Sequence, residues 1–108
     1  MGDQPVPARE RVRGTVPKMM ELSEQVIYRN IWERPGLSKR DRSMIVVATL
    51  IASYRPEQLR GYLARALDNG VTKEEIGEII THLAFYAGWP ASMTAARATE
   101  VYEERGLA

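Results

Sequence analysis

Apolar residues recur along this chain at three- and four-residue steps, the spacing of helices that bury one side. The clearest instance lies between Thr72 and Gly88, where Ile76, Ile79, Ile80, Leu83, Ala84 and Ala87 form one stripe. Both of its ends are marked. Thr72 with Glu75 three residues on is the capping-box pattern. Gly88 suits a left-handed closing residue, and Pro90 suits the first turn of a following helix. The opposite flank is not uniformly charged: Glu75, Glu78, His82 and Tyr86 run down it, with Phe85 beside them. Aromatic rings and the only histidine, set away from the core, predict a second contact surface. That surface is a cleft, a subunit interface, or a cleft at a subunit interface.

Other segments follow the same pattern. Thr15 and Pro17 mark the start of a helix expected to run to about Glu33. Its apolar side is Met19, Met20, Leu22, Val26, Ile27, Ile31 and Trp32, and Pro35 with Gly36 ends it. Ser38 caps the next helix, with Asp41 adding negative charge to its first turn. From Met44 to Ala52 this helix is apolar almost all round, which predicts protein on every side of it. The run is rich in β-branched residues, so a buried strand competes; the cap at Ser38 and the lack of a partner strand favour a helix. The chain breaks before Pro56, and Glu57–Asn69 carries Leu59, Tyr62, Leu63, Ala66 and Leu67 on one face, with Gly70 as its stop. A last helix is expected from Pro90 to about Arg105. Short connections throughout predict an all-α domain over residues 15–108. Met1–Gly14 has two prolines, three arginines and no apolar period, and reads as a flexible arm, frayed or laid over a neighbouring subunit.

Composition narrows the chemistry. A chain of 108 residues makes one domain with a modest core, to which association would add. Lys and Arg number 15 against 14 Asp and Glu, so the net charge of +1 gives no reason to expect nucleic acid as a partner. The run Met44–Ala52 is too short to span a bilayer, and the N-terminus lacks the apolar segment of a signal peptide. A cytoplasmic protein with no membrane partner is therefore expected. The absence of cysteine removes disulfides, thiolate metal sites and thiol chemistry. A single histidine makes a histidine-rich metal site impossible within one chain. There is no G-x-S-x-G, no Gly-rich phosphate loop and no metal-ligand spacing.

His82 is the first candidate because histidine exchanges a proton near neutral pH. Glu78 lies one turn earlier and Tyr86 one turn later on the same helix edge. Two readings stay open: a general acid or base oriented by a carboxylate, or an inert, hydrogen-bonded histidine at a helix seam, which spacing alone favours. Tyr62 either donates its phenol to a bound oxyanion or fills the core. Arg40 and Arg42 flank Asp41, and a guanidinium there either clamps a substrate carboxylate or pairs with a nearby acid such as Glu33 or Asp41. Trp89 is kept by core packing or as the wall of a pocket.

Three segments carry a likeness: Trp32–Arg42 (WERPGLSKRDR), Ala66–Ile76 (ALDNGVTKEEI) and above all Thr81–Pro90 (THLAFYAGWP). They closely resemble the carboxymuconolactone decarboxylase family, and the likeness covers about Val16–Glu104. The resemblance implies a five- to six-helix bundle of the alkylhydroperoxidase D type. It also implies a homohexamer or homotrimer with active sites near subunit contacts. The name-giving activity is loss of carbon dioxide from 4-carboxymuconolactone, a lyase reaction without metal or organic cofactor. On this likeness His82 moves the proton, Tyr62 binds an oxyanion, Arg42 holds a carboxylate, and Trp89 with Tyr86 walls the pocket. The family's peroxidase branch uses a Cys-x-x-Cys pair, a histidine beyond it and an upstream glutamate. Those positions are Arg55, Gln58, Tyr62 and Ser43 here, so thiol peroxidase activity is not expected; Ser43 is counted among the substrate-binding residues. The decarboxylase branch usually keeps a histidine where Tyr62 stands, and a phenol is a poor base at neutral pH though a usable hydrogen-bond donor. The expected function is a cofactor-free lyase acting by proton transfer on a small carboxylated, lactone-type metabolite. The alternatives are a non-catalytic oligomeric binding module and a peroxidase-like relative without its thiols.

Overall fold

Val47, Leu63, Ala66 and Ile76 are wholly shielded from solvent, and they mark where the chain's apolar faces meet. The computed structural model describes residues 8–107, and all regular structure among them is helical. They form two compact units, one ending at Gly36 and the other beginning at Leu37.

The first unit contains α1 (Ala8–Thr15), α2 (Pro17–Leu22) and a π-helical stretch, Ser23–Ile31. The arm expected over Met1–Gly14 is therefore helical from Ala8 onward, with Glu10 in its first turn and Arg13 in its last, as the helix dipole favours. Residues 1–7 of that arm lie outside the described residues. Pro17 occupies the first turn of α2 as expected. From Ser23 the helix widens to hydrogen bonds spanning five residues, which apolar spacing does not signal. Of the expected apolar side, Met20 and Trp32 are buried, while Met19, Leu22, Val26, Ile27 and Ile31 remain 43–56% exposed. For Val26, Ile27 and Ile31 the wide turns take the side chains off a single stripe.

The second unit contains α3 (Lys39–Ala52), α4 (Pro56–Asp68), α5 (Lys73–Leu83), α6 (Trp89–Ala98) and α7 (Val101–Glu104). The Asp41 amide donates to the Ser38 hydroxyl at 3.0 Å, starting α3 as expected. At α5 the capping box is complete: the Glu75 amide donates to Thr72 Oγ1 at 3.1 Å, and the Thr72 amide donates to Glu75 Oε1 at 2.9 Å. α3 closes on Tyr54 in the left-handed region (φ 56), and the Arg55 amide returns to the Leu50 carbonyl at 2.9 Å.

Two expectations fail at helix ends. α5 stops at Leu83, not Gly88; turns carry the chain through Phe85–Ala87. Gly88 (φ 107, ψ 141) is instead the cap of α6, in a backbone region essentially open to glycine alone. The helix expected over Pro90–Arg105 breaks at Thr99 and Glu100 into α6 and α7.

The core joins Val47 and Ile51 of α3, Leu59, Leu63 and Ala66 of α4, Ile76 of α5 and Ala95 of α6, with Val101 of α7 closing it. α3 touches α4, α5 and α6. Its Met44–Ala52 run is nevertheless not enclosed on every side, since Ile45 is 53% exposed. Ser92, buried on α6, donates to the Ile80 carbonyl at 2.8 Å and ties α6 to α5. Arg60 of α4 pairs with Glu100 and Glu104, and Arg105 pairs with Asp68, holding the C-terminal turn against α4. Such exposed, solvent-screened pairs add little to stability. No helix among the described residues is long and apolar enough to cross a membrane.

Tyr102 packs against this core, and its hydroxyl is buried without a hydrogen-bond partner among the described residues. Burial, and then the charge of Glu74, raise its pKa above the ordinary phenol value. The folded state therefore holds this proton more tightly than the unfolded one. Its contribution is complete below about pH 10, the phenol's unfolded value, and is lost as pH rises through the higher folded value. Tyr102→Phe is expected to leave stability at pH 8 unchanged or higher, because no hydrogen bond is lost. It should also flatten the fall of the urea midpoint between pH 8 and pH 11.

Candidate active site

α3 and α5 lie side by side, and one stripe of each is left facing an open cleft of about 400 Å³. Asp41, Met44, Ile45 and Ala48 come from α3 at the i, i+3, i+4, i+7 spacing of a single face. Ile79, His82 and Leu83 come from α5, and Leu37 closes one edge. Only Asp41 and His82 are polar in this lining.

His82 stands exposed in the last turn of α5. Its ring lies 4.8 Å from that of Tyr86, tilted by 41°. Tyr86 itself is 78% exposed. Among the described residues neither the His82 imidazole nor the Glu78 carboxylate makes a hydrogen bond or ion pair. The carboxylate expected to orient the imidazole thus does not do so, and His82 is not the hydrogen-bonded seam residue of the other reading either. Its ring is open to solvent. Nearby, Arg40 pairs with Glu75 across α3 and α5 and stands 4.0 Å from Asp41.

The other expected site residues are dispersed. Tyr62 lies half-buried on α4 beneath the Arg65 guanidinium, 5.8 Å from its ring centre, and lines no part of the cleft. Arg42 is half-buried on α3, also off the cleft, with its Nε shielded from solvent. Trp89 meets Phe85 edge-on at 6.0 Å and borders a separate apolar groove of about 160 Å³ with Ile80, Ala84 and Met93. It therefore does not wall the His82 cleft with Tyr86.

Ser43 departs furthest from expectation. It is 1% exposed, donates to the Lys39 carbonyl at 2.8 Å and accepts from Asn69 Nδ2 at 2.9 Å. Its hydroxyl is spent joining α3 to the end of α4, where the family position it occupies suggested substrate contact.

With the geometry in view, the match to known proteins can be placed upon it. The model of the carboxymuconolactone decarboxylase family matches residues 17–101, which include both sides of the cleft. The chain belongs to that family. The 4-carboxymuconolactone decarboxylase of Acinetobacter baylyi is 44% identical over 79 residues, covering 72% of this chain and 59% of that protein. The nitrosuccinic acid decarboxylase of Metarhizium robertsii is 32% identical over 80 residues, covering 74% of this chain and 56% of that one. The chain thus spans less than two thirds of the length of the curated relatives it matches.

Within this family member, sequence reasoning missed Asp41 as a cleft residue. The signal was present in its spacing from Met44, Ile45 and Ala48, but a helix read as enclosed has no face to offer. Ser43→Ala leaves the Asn69 amide without its acceptor, a loss of about 1–3 kcal/mol. Chemical denaturation is expected to show that loss, while ligand affinity at His82 stays at the wild-type value.

Proposed function

We propose that the chain is a cofactor-free carboxy-lyase acting on a small carboxylated, lactone-type metabolite, with His82 as its proton-transfer group. One observation carries the reading. Among the described residues the His82 imidazole has no hydrogen-bond or ion-pair partner in an apolar-walled cleft, and it belongs to the Thr81–Pro90 segment on which the family likeness is strongest. Both relatives quoted above are named decarboxylases, which agrees with it.

The chemistry asks little more of the protein. Breaking the carbon–carboxylate bond releases CO2 and leaves the electron pair on carbon, conjugated as an enolate-type anion. The imidazolium of His82 returns a proton to that carbon. Covered by a second copy of the chain, the apolar walls Ile45, Ile79 and Leu83 would exclude water, and burial in such surroundings disfavours a charged carboxylate relative to neutral CO2. Arg42 and Tyr62 lie off this cleft, so their proposed roles, on a carboxylate and an oxyanion, require them to reach it from a second copy of the chain. A homo-oligomer, trimer or hexamer by family resemblance, is supported by the apolar surface around Phe85, Tyr86, Trp89 and Met93, each 55–78% exposed. Thiol peroxidase chemistry has no cysteine to run on.

A binding module without catalysis is the second reading, favoured by Tyr62 standing in place of the decarboxylase branch's histidine. His82→Ala is expected to lower CO2 release from a panel of small lactone acids by about 10²–10⁴-fold. Unchanged release would remove His82 from the reaction. If wild type is inert and Tyr62→His gains turnover, the binding module is the better description.

In sedimentation at micromolar concentration, the protein should run as an assembly well above a 12.2 kDa monomer. A lone monomer would leave Arg42 and Tyr62 without a route to His82.

A further inference from the structure

We infer that Tyr86 is the positioning residue for His82: its ring, not its hydroxyl, fixes the direction in which the imidazole meets a ligand. This rests on the reading of His82 as the proton-transfer group and adds what holds that group in place.

A histidine side chain turns broadly about the bond to its ring unless something stops it. The usual stop is a hydrogen bond to one ring nitrogen. The imidazole makes none among the described residues, and the Glu78 carboxylate, one turn back, supplies none. A packed ring is the other means of limiting that rotation, and aromatic pairs favour centroid separations of about 4.5–7 Å. Tyr86 stands one turn on from His82, at 4.8 Å and tilted by 41°. Of the other aromatic residues at this turn, Phe85 and Trp89 are engaged with each other.

The backbone holds Tyr86 where this contact needs it. Its amide donates to the Leu83 carbonyl at 3.1 Å, and the Ala87 amide donates to the same carbonyl at 2.7 Å. Both bonds tie the turn to the residue next to His82. The Tyr86 ring therefore starts from a fixed point and has only two side-chain torsions to settle.

Tyr86 does not line the cleft, and 78% of it is exposed. A residue that meets the imidazole and not the cleft acts on a ligand through the imidazole. Its hydroxyl makes no hydrogen bond among the described residues, so the ring carries the contact.

Two substitutions separate ring from hydroxyl: Tyr86→Phe keeps the ring, and Tyr86→Leu replaces it with an aliphatic side chain. His82 is the only histidine, so its imidazole proton NMR signals are identified by their loss in His82→Ala. In ligand-free protein the ring current of Tyr86 should displace these signals from the positions of free histidine. That displacement is expected to survive Tyr86→Phe and to be lost in Tyr86→Leu. CO2 release is then followed with the lactone acid that wild type turns over fastest. Tyr86→Leu should lower kcat about tenfold or more with KM within about twofold of wild type, because a misplaced reacting group slows the step without removing binding. Tyr86→Phe should restore kcat to within about twofold of wild type. Circular dichroism checks that both variants fold.

Wild-type kcat in Tyr86→Leu, or His82 signals that Tyr86→Leu leaves unmoved, would overturn the positioning role while leaving the His82→Ala result standing. An equal loss in Tyr86→Phe and Tyr86→Leu would overturn it too, since the hydroxyl would then be the working group. If wild type releases CO2 from none of the acids, the reading of His82 and the role of Tyr86 fall together.

Discussion

The packing of α5 against α3 is the contact on which the rest of this molecule depends. Ile76 is fully buried on one helix, and Val47 and Ile51 on the other, within one continuous cluster that also takes in α4 and α6. Burial of each such side chain is worth roughly 1.5–3 kcal/mol, more than any surface ion pair in the chain. Because the seam fills only one side of each helix, the neighbouring stripes, Asp41–Ala48 and Ile79–Leu83, are left facing a shared opening. Core and cleft are two sides of one packing decision.

That decision also governs the electrostatics. Arg40 bridges the two helix starts through Glu75, the same residue that closes the capping box of α5. One glutamate thus begins a helix and, through Arg40, holds its neighbour. His82 escapes this network. Among the described residues its imidazole has no hydrogen-bond partner at the far end of α5, where the helix gives way to turns and its ring meets Tyr86. The turns, together with the glycine-only geometry of Gly88, send Phe85 and Tyr86 outward and start α6 at Trp89. Phe85, Tyr86 and Trp89 thus leave aromatic surface exposed beside the candidate site.

Local chemistry was legible where it is local. The cap at Ser38, the capping box at Thr72 and the stripe on α5 follow from residues three and four apart, and no distant contact can move them. His82 on the flank away from the core was legible for the same reason. The failures share a cause as well. The π-helical turns after Ser23, the early end of α5 and the break before α7 depend on hydrogen bonds whose register the apolar pattern does not encode. Ser43 and Asp41 were misjudged because position on a helix says which residues share a face, not what that face will meet.

Sequence alone determined the helical class, the family, the absence of thiol chemistry and the identity of the one proton-exchanging side chain, since each is a matter of residue type and spacing. Tertiary structure decided which candidates gather. It set Asp41 with His82 around one cleft, buried Ser43 between α3 and Asn69, and left Tyr62, Arg42 and Trp89 elsewhere. The physical reason is that helix faces are written in the chain, whereas which face is paired and which is left open depends on how several helices share one small core.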